Sequence, residues 1–276
     1  MKRFKKLITA VVIIISILLT WWFNTFTLKT TRLTIHDGRI NNEIRIVHLT
    51  DLHGASFGKN NAALISRIDK ASPDIVVVTG DMWTRGNDSD NVDVAVRLMK
   101  DLCEKYTVYF VDGGHDSAMG EWINNGIINA VYLNYETAEI TVGETTIALH
   151  GIPNYHFSHD DSAALFALLD ADVSKYNVLL AHEPRFQQYI DFGADLSLVG
   201  HTHGGMVRLP FVGAAYSRSH TNHNVWFPEL RNIAHLYGLL ESNGAKIYIS
   251  GGLGVYPVPV RFFNRPEIVL VRLLPD

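Results

Sequence analysis

At 276 residues and 47% hydrophobic content, the chain is long enough for one large α/β domain or two small ones, and too apolar for intrinsic disorder. Lys2, Arg3, Lys5 and Lys6 crowd the N-terminus; the remainder carries 20 Lys+Arg against 28 Asp+Glu, a balance near −8 that argues against a nucleic-acid binder. The single cysteine, Cys103, excludes an intramolecular disulfide.

The basic cluster precedes LITAVVIIISILLTWWF, residues 7–23, interrupted only by Thr9, Ser16 and Thr20. At about 1.5 Å per residue the run spans roughly 26 Å, close to the roughly 30 Å of hydrocarbon in a bilayer. Trp21 and Trp22 suit the far membrane interface. No small-x-small site follows the bulky Trp-Trp-Phe, so residues 1–27 are expected to be an uncleaved signal anchor rather than a cleaved signal peptide. Four cations before the span, against Lys29 and Arg32 after it, predict a single-pass cell-membrane protein with a cytoplasmic N-terminus and its bulk on the outer side. A membrane-proximal segment is expected over 28–43 and one catalytic-type domain over 44–276.

The rest of the chain alternates β-branched runs with helical patterns. EIRIVHLT (43–50), DIVVVTG (74–80) and TVYFVD (107–112) read as strands, and NAALISRIDKA (61–71) and NVDVAVRLMKDLCEKY (91–106) as helices. TAEITV and TTIALHG form an expected hairpin turning at Gly143, followed by a helix over SAALFALLD and strands over NVLLAH, DLSLVG, KIYISGG and EIVLVRL. This alternation predicts parallel pairing through crossover helices, which gathers ligands beyond the carboxyl ends of the strands.

Those ends carry the chemistry. Asp51 and His53 follow the first strand, Asp81 the second, His115 and Asp116 the third, His182 the run NVLLAH, and His201 and His203 the run DLSLVG. Any one of these is ordinarily a turn or loop residue. Gathered in one crevice, so many carboxylates and imidazoles need something cationic to hold them. Asp and His without Cys suit Mn²⁺, Zn²⁺ or Fe²⁺, and the ligand count exceeds one tetrahedral ion, which predicts two divalent metals.

In their order, TDLHG, VVVTGDM, DGGHD, LLAHEP and VGHTHGG resemble the five-part signature of the calcineurin-like metallophosphoesterase superfamily, over nearly all of 44–276. GHTHGGMVRLP and the closing IYISGGLGVYPVPVRFFNRPEIVLVRL are similar to its membrane-associated bacterial branch of YkuE- and YaeI-like phosphodiesterases. The resemblance implies a four-layer α/β sandwich, two central mixed sheets flanked by helices, behind the transmembrane anchor. It implies that Asp51, His53 and His203 hold one metal, that His182 and His201 hold the second, and that Asp81 bridges them. His115 would stand at the phosphate as hydrogen-bond donor or general acid.

The family's third motif has Asn, a ligand of the second metal, where this chain has Gly114. Water could fill that position, a neighbour such as Asp116, Asp112 or Asn154 could reach it, or the protein could bind without turnover. The expected function is metal-dependent hydrolysis of a phosphodiester or pyrophosphate, on a small-molecule or lipid-linked cell-envelope substrate, by water that two metal ions activate. The alternatives are a phosphomonoesterase and a non-catalytic, membrane-anchored metal- or phosphate-binding protein. Nothing in the sequence points to an oligomer. His36, His48, His150, His220 and His235 read as structural or solvated, and His156 and His159 as part of a loop over the cleft. SRSHTNHN reads as a lid or a plain surface loop, and Arg261 and Arg265 as surface cations or contacts to a second phosphate.

Overall fold

Two six-stranded sheets face each other across an apolar layer. The structure, a computed structural model, describes residues 2–84, 89–154, 166, 168–218 and 224–276. The helix expected over SAALFALLD and the segments holding His156, His159 and His220 lie largely or wholly outside the described residues.

The first sheet has the order β1 (Lys29–His36), β16 (Glu267–Leu274), β2 (Ile44–Leu49), β3 (Ile75–Val78), β4 (Thr107–Phe110) and β5 (Val131–Tyr132). The second has the order β14 (Gly238–Ser242), β15 (Ala245–Ile249), β9 (Leu196–Val199), β8 (Tyr176–Ala181), β7 (Thr145–Ile152) and β6 (Glu136–Val142). Both are mixed: β2, β3, β4 and β5 run parallel, as do β7, β8, β9 and β15, while β16 pairs antiparallel with β2 and β6 with β7. Among the described residues the four remaining strands pair antiparallel in twos, β10 (Arg208–Leu209) with β11 (Gly213–Ala214) and β12 (Tyr216–Arg218) with β13 (Asn224–Trp226).

Strand alternation builds the middle of the molecule. Ile44 and Ile46, Ile75 and Val77, and Val269 and Val271 point from one sheet at Ile147 and Leu149, Val178 and Leu180, and Leu196 and Leu198 from the other. Each such side chain, fully buried, contributes about 1.5–3 kcal/mol relative to exposure. Helical spacing builds the outside. Leu64 and Ile68 of α2 (Ala62–Ala71) and Ala95, Leu98, Met99 and Leu102 of α3 (Ser89–Cys103) cover the outer face of the first sheet, with α4 (Ser117–Asn124) beside them. Tyr189 of α5 (Phe186–Phe192) packs on the outer face of the second.

α1 (Lys2–Phe26) stands apart: 25 residues, apolar enough to cross a membrane and almost wholly exposed until Asn24 and Thr25, which are buried. Only Thr27 and Leu28 separate it from β1. β1 lies in the stretch expected to be membrane-proximal and is a strand of the first sheet, paired over its whole length with β16. Charge fastens that junction: Lys29 Nζ lies 3.0 Å from the fully buried Glu267, which also accepts from Thr31, Tyr237 and the Gly251 amide.

Candidate metal centre

The parallel strands put their carboxyl ends on one edge of both sheets, and the residues just beyond them meet there. Main-chain bonds hold the loops together: the Asp51 amide donates to Gly80, the His53 amide to Asp81 and the Gly200 amide to His182. Asp51, His53, Asp81, His201 and His203 all take positive φ, between 46° and 70°. Asp and His enter that left-handed region more readily than bulky or β-branched residues, so the chemistry and the backbone ask for the same residue types. Strain of this kind persists where surrounding structure enforces it, and it gathers at functional sites.

Two groups of ligand atoms result, Asp51 with His53 and His203, and Asp81 with His182 and His201; within each, every ligand atom lies within 4.8 Å of the others. In the first, His53 Nε2 is 3.1 Å from His203 Nε2, which is 3.5 Å from Asp51 Oδ1. In the second, His182 Nε2 is 3.2 Å from Asp81 Oδ2 and 3.3 Å from His201 Nδ1. Asp81 Oδ2 also lies 3.7 Å from His53 Nε2, so this carboxylate stands between the two groups, where the expected bridge belongs.

The environment suits cations. Burial pushes His53 down to about 3 and His203 well below its ordinary value, so both rings present unprotonated nitrogen. His53 Nδ1 bonds Thr84 Oγ1 at 2.9 Å and His182 Nδ1 donates to the Thr79 carbonyl at 2.7 Å, which turns both Nε2 atoms inward. Burial pushes Asp51 up to about 6. Burial also works against ionisation of Asp81, but His182 and the neighbouring imidazoles hold it well below the usual carboxylate range. Paired imidazole nitrogens at close range, two buried carboxylates and no sulfur fit two divalent ions of the Mn²⁺, Zn²⁺ or Fe²⁺ kind.

The glycines before His115 have different reasons. A Cβ on Gly113 would lie 2.2 Å from Asp81 Oδ1, so that position must be bare. A Cβ on Gly114 would meet only Asn154 Nδ2, at 3.5 Å, an ordinary contact. Gly114 is exposed and under no steric demand to be glycine. Of the neighbours considered as substitutes, the Asn154 amide is the one beside it. Asp116 is fully buried with both oxygens engaged, accepting from the Met82 amide at 2.7 Å and the Gly113 amide at 2.8 Å. It braces the loops of Asp81 and His115 against each other. Asp112 accepts from the Tyr132 hydroxyl.

His115 is half-buried over the first group, its amide donating to Asp81 Oδ1 at 2.9 Å and its ring edge-on to His53 with centroids 5.3 Å apart. Tyr256 completes the rim, a residue that sequence reasoning missed. Its ring stacks on His53 at 5.0 Å and meets His115 edge-on at 4.9 Å, with part of its surface open to solvent. Arg261 is neither a surface cation nor a phosphate contact: it is fully buried and donates to the carbonyls of Gly251, Gly254 and Asn264. Arg265 donates to the Thr27 and Leu28 carbonyls and lies over the Phe23 ring, clasping the end of α1. Of the other histidines, His48 and His150 are structural, buried and bonded to Thr79 and to Thr137 and Asn177.

The chain belongs to the calcineurin-like phosphoesterase family, whose profile matches residues 44–205. That span holds all six candidate ligand residues and His115; the family is one of phosphoesterase hydrolases that bind divalent metal, and the two groups described above are this chain's candidate sites for it. It is similar to the uncharacterized metallophosphoesterase YkuE of Bacillus subtilis, 25% identical over 83% of this chain and 78% of that one. An uncharacterized metallophosphoesterase of Aquifex aeolicus is 26% identical over 90% of this chain and 93% of its own length. A transmembrane protein with metallophosphoesterase domain from Bos taurus is 26% identical over 84% of this chain and 53% of its own.

Proposed function

We propose that the protein hydrolyses a phosphodiester or pyrophosphate bond, at the membrane to which α1 anchors it, with the domain on the outer side. The observation that carries this reading is the pair of ligand groups sharing Asp81, with His115 over one of them. Asp51, His53 and His203 would hold one ion, and Asp81, His182 and His201 the other. Two bound divalent ions supply polarisation of phosphoryl oxygens and a lowered pKa for water.

The chain's own residues do the rest. Asp81 would offset the repulsion between two bound cations and, accepting from the His115 amide, fixes the loop that carries His115. His115 would donate a proton to the departing ester oxygen; general-acid help of this kind is worth about 10² to 10⁴ in rate. Tyr256 walls one side of the cleft and limits how the His53 and His115 rings can turn. The small or lipid-linked substrate is read from the anchor, which sets location, and from the open rim.

The test uses the full chain in detergent micelles, loaded with Mn²⁺, assayed on bis- and mono-(4-nitrophenyl) phosphate with metal counted by mass spectrometry. Metal-dependent turnover favouring the diester, lost in His115→Ala with metal content unchanged, is expected. A preference for the monoester would make it a phosphomonoesterase, and two bound metals with no turnover of either ester would make it a binding protein.

A further inference from the structure

The loop from Gly254 to Arg265 joins the metal centre to the anchor. At one end the Gly254 amide donates to the Asp51 carbonyl and Tyr256 stacks on His53. Three residues on, the Pro259 carbonyl accepts from Trp21 Nε1 of α1 at 3.4 Å. The Arg261 amide then donates to Thr25 Oγ1, and Arg265 covers Phe23. Three residues of chain reach at most about 10 Å, so the Tyr256 rim and the Trp21 level of the helix are close neighbours.

The depth of that contact is informative. Trp21 belongs to the apolar run, more than a turn before the helix ends at Phe26. The domain buries the last turn at Asn24 and Thr25, while the loop runs alongside the helix as far as the Trp21 indole. Trp side chains mark the interfacial zone of a bilayer. A loop hydrogen-bonded to one shares its depth. The residues it presents fit that zone: Val258 and Phe263 are exposed and apolar, with Phe262 and Phe263 in edge-to-face contact. Phe262 in turn pairs with the 206–208 segment, its amide donating to Met206 and its carbonyl accepting from Arg208. The hairpin that follows carries exposed Leu209 and a fully exposed Phe211 at its turn. Such clustered apolar tips on a soluble face mark an interaction surface.

We propose that Val258 and Phe263 of this loop, with Leu209 and Phe211 of the hairpin, form a second membrane contact that rests in the interface of the bilayer spanned by α1. The metal centre then opens at the lipid surface. This rests on the membrane-anchored reading above and adds to it a fixed, partly immersed rim.

The full chain, with Cys103→Ala, is reconstituted in phosphatidylethanolamine–phosphatidylglycerol nanodiscs. Single cysteines are placed by Phe211→Cys, Val258→Cys, Phe263→Cys, Val12→Cys in the anchor, and Val173→Cys. Val173 is exposed and apolar but lies before β8, at the opposite end of the strands from the metal centre. Each carries an environment-sensitive fluorophore quenched either by spin-labelled lipid or by aqueous iodide. Phe211→Cys, Val258→Cys and Phe263→Cys are expected to be blue-shifted and quenched by lipid several-fold more than Val173→Cys, approaching Val12→Cys. If these three respond to iodide as Val173→Cys does while Val12→Cys stays lipid-quenched, the anchor stands and the docking surface is overturned. If Val12→Cys is itself reached by iodide, the anchor fails and the surface with it. If the metal-loaded parent turns over neither nitrophenyl ester while the three positions stay lipid-quenched, the hydrolase reading fails alone and the docking surface is supported.

Discussion

The two halves of the metal centre differ in how they are enclosed. Asp51, His53 and His203 are all buried, roofed by Tyr256 and His115, and their loops come from both sheets. Asp81 and His182 are buried too, but His201 is half-buried, and the loop beside them has exposed Gly114 where the motif resemblance implies an Asn ligand. Enclosure supplies the first group with desolvated, proton-free imidazoles, while the second has an open side that solvent or Asn154 borders. The lesson is that one fold edge can build an enclosed and an open group of candidate ligands from the same residue types, the difference being one side chain and one aromatic roof.

Removing the shared carboxylate should erase that difference. Asp81→Ala is expected to strip both sites, with turnover falling at least about 100-fold, beyond the roughly 10 to 100-fold typical of losing an outer partner; bound metal per chain, measured after dialysis, should approach zero. Deleting one ligand from each half should reveal the asymmetry. His201→Ala should lose one ion at modest chelator strength, whereas His53→Ala should also disturb His203 and Asp51, and competition with a chromogenic chelator distinguishes them. Filling the open side should narrow the gap. Gly114→Asn meets no clash, and about tenfold tighter binding of the second ion is expected by calorimetry, with unchanged affinity at the first. Equal affinities in the parent and this variant would mean that Asn154 already serves.

Smaller effects test the supports. Tyr256→Ala should raise KM a few-fold, in line with the about 0.5–1.5 kcal/mol of a ring contact, while Tyr256→Phe should leave it near the parent value. Burial pushes the Asp112 carboxyl up to about 7, above its unfolded value. A group raised in this way favours folding at low pH and loses that contribution as pH rises through its folded value. Metal-free Asp112→Asn should therefore lose less Tm between pH 4 and pH 7 than the parent, by scanning calorimetry.

The gathering of the six candidate ligands was legible because each sits a residue or a few beyond a strand whose pattern is local. Parallel pairing, also legible, then sets them on one edge. Asp116 was less so: its neighbourhood suggests a ligand, and only the fold shows its oxygens taken by the Met82 and Gly113 amides. Tyr256 left no signal, since it reaches His53 from two hundred residues away on a loop with no periodicity. Arg261 misled for a general reason. Arginine is ordinarily solvated, and nothing in sequence reveals three backbone carbonyls converging on one guanidinium. β1 was hidden because its partner, β16, is the last strand of the chain.

Two residues, Thr27 and Leu28, join α1 to β1, and Arg265 and Glu267 lock the joint from the far end of the sequence. Such a coupling transmits torque. The edge that carries the two groups of candidate ligands keeps one height and one bearing relative to the helix axis, a tool on a short spindle rather than one on a cord. A flexible spacer inserted between Leu28 and Lys29 would leave the chemistry whole and cost the protein its aim.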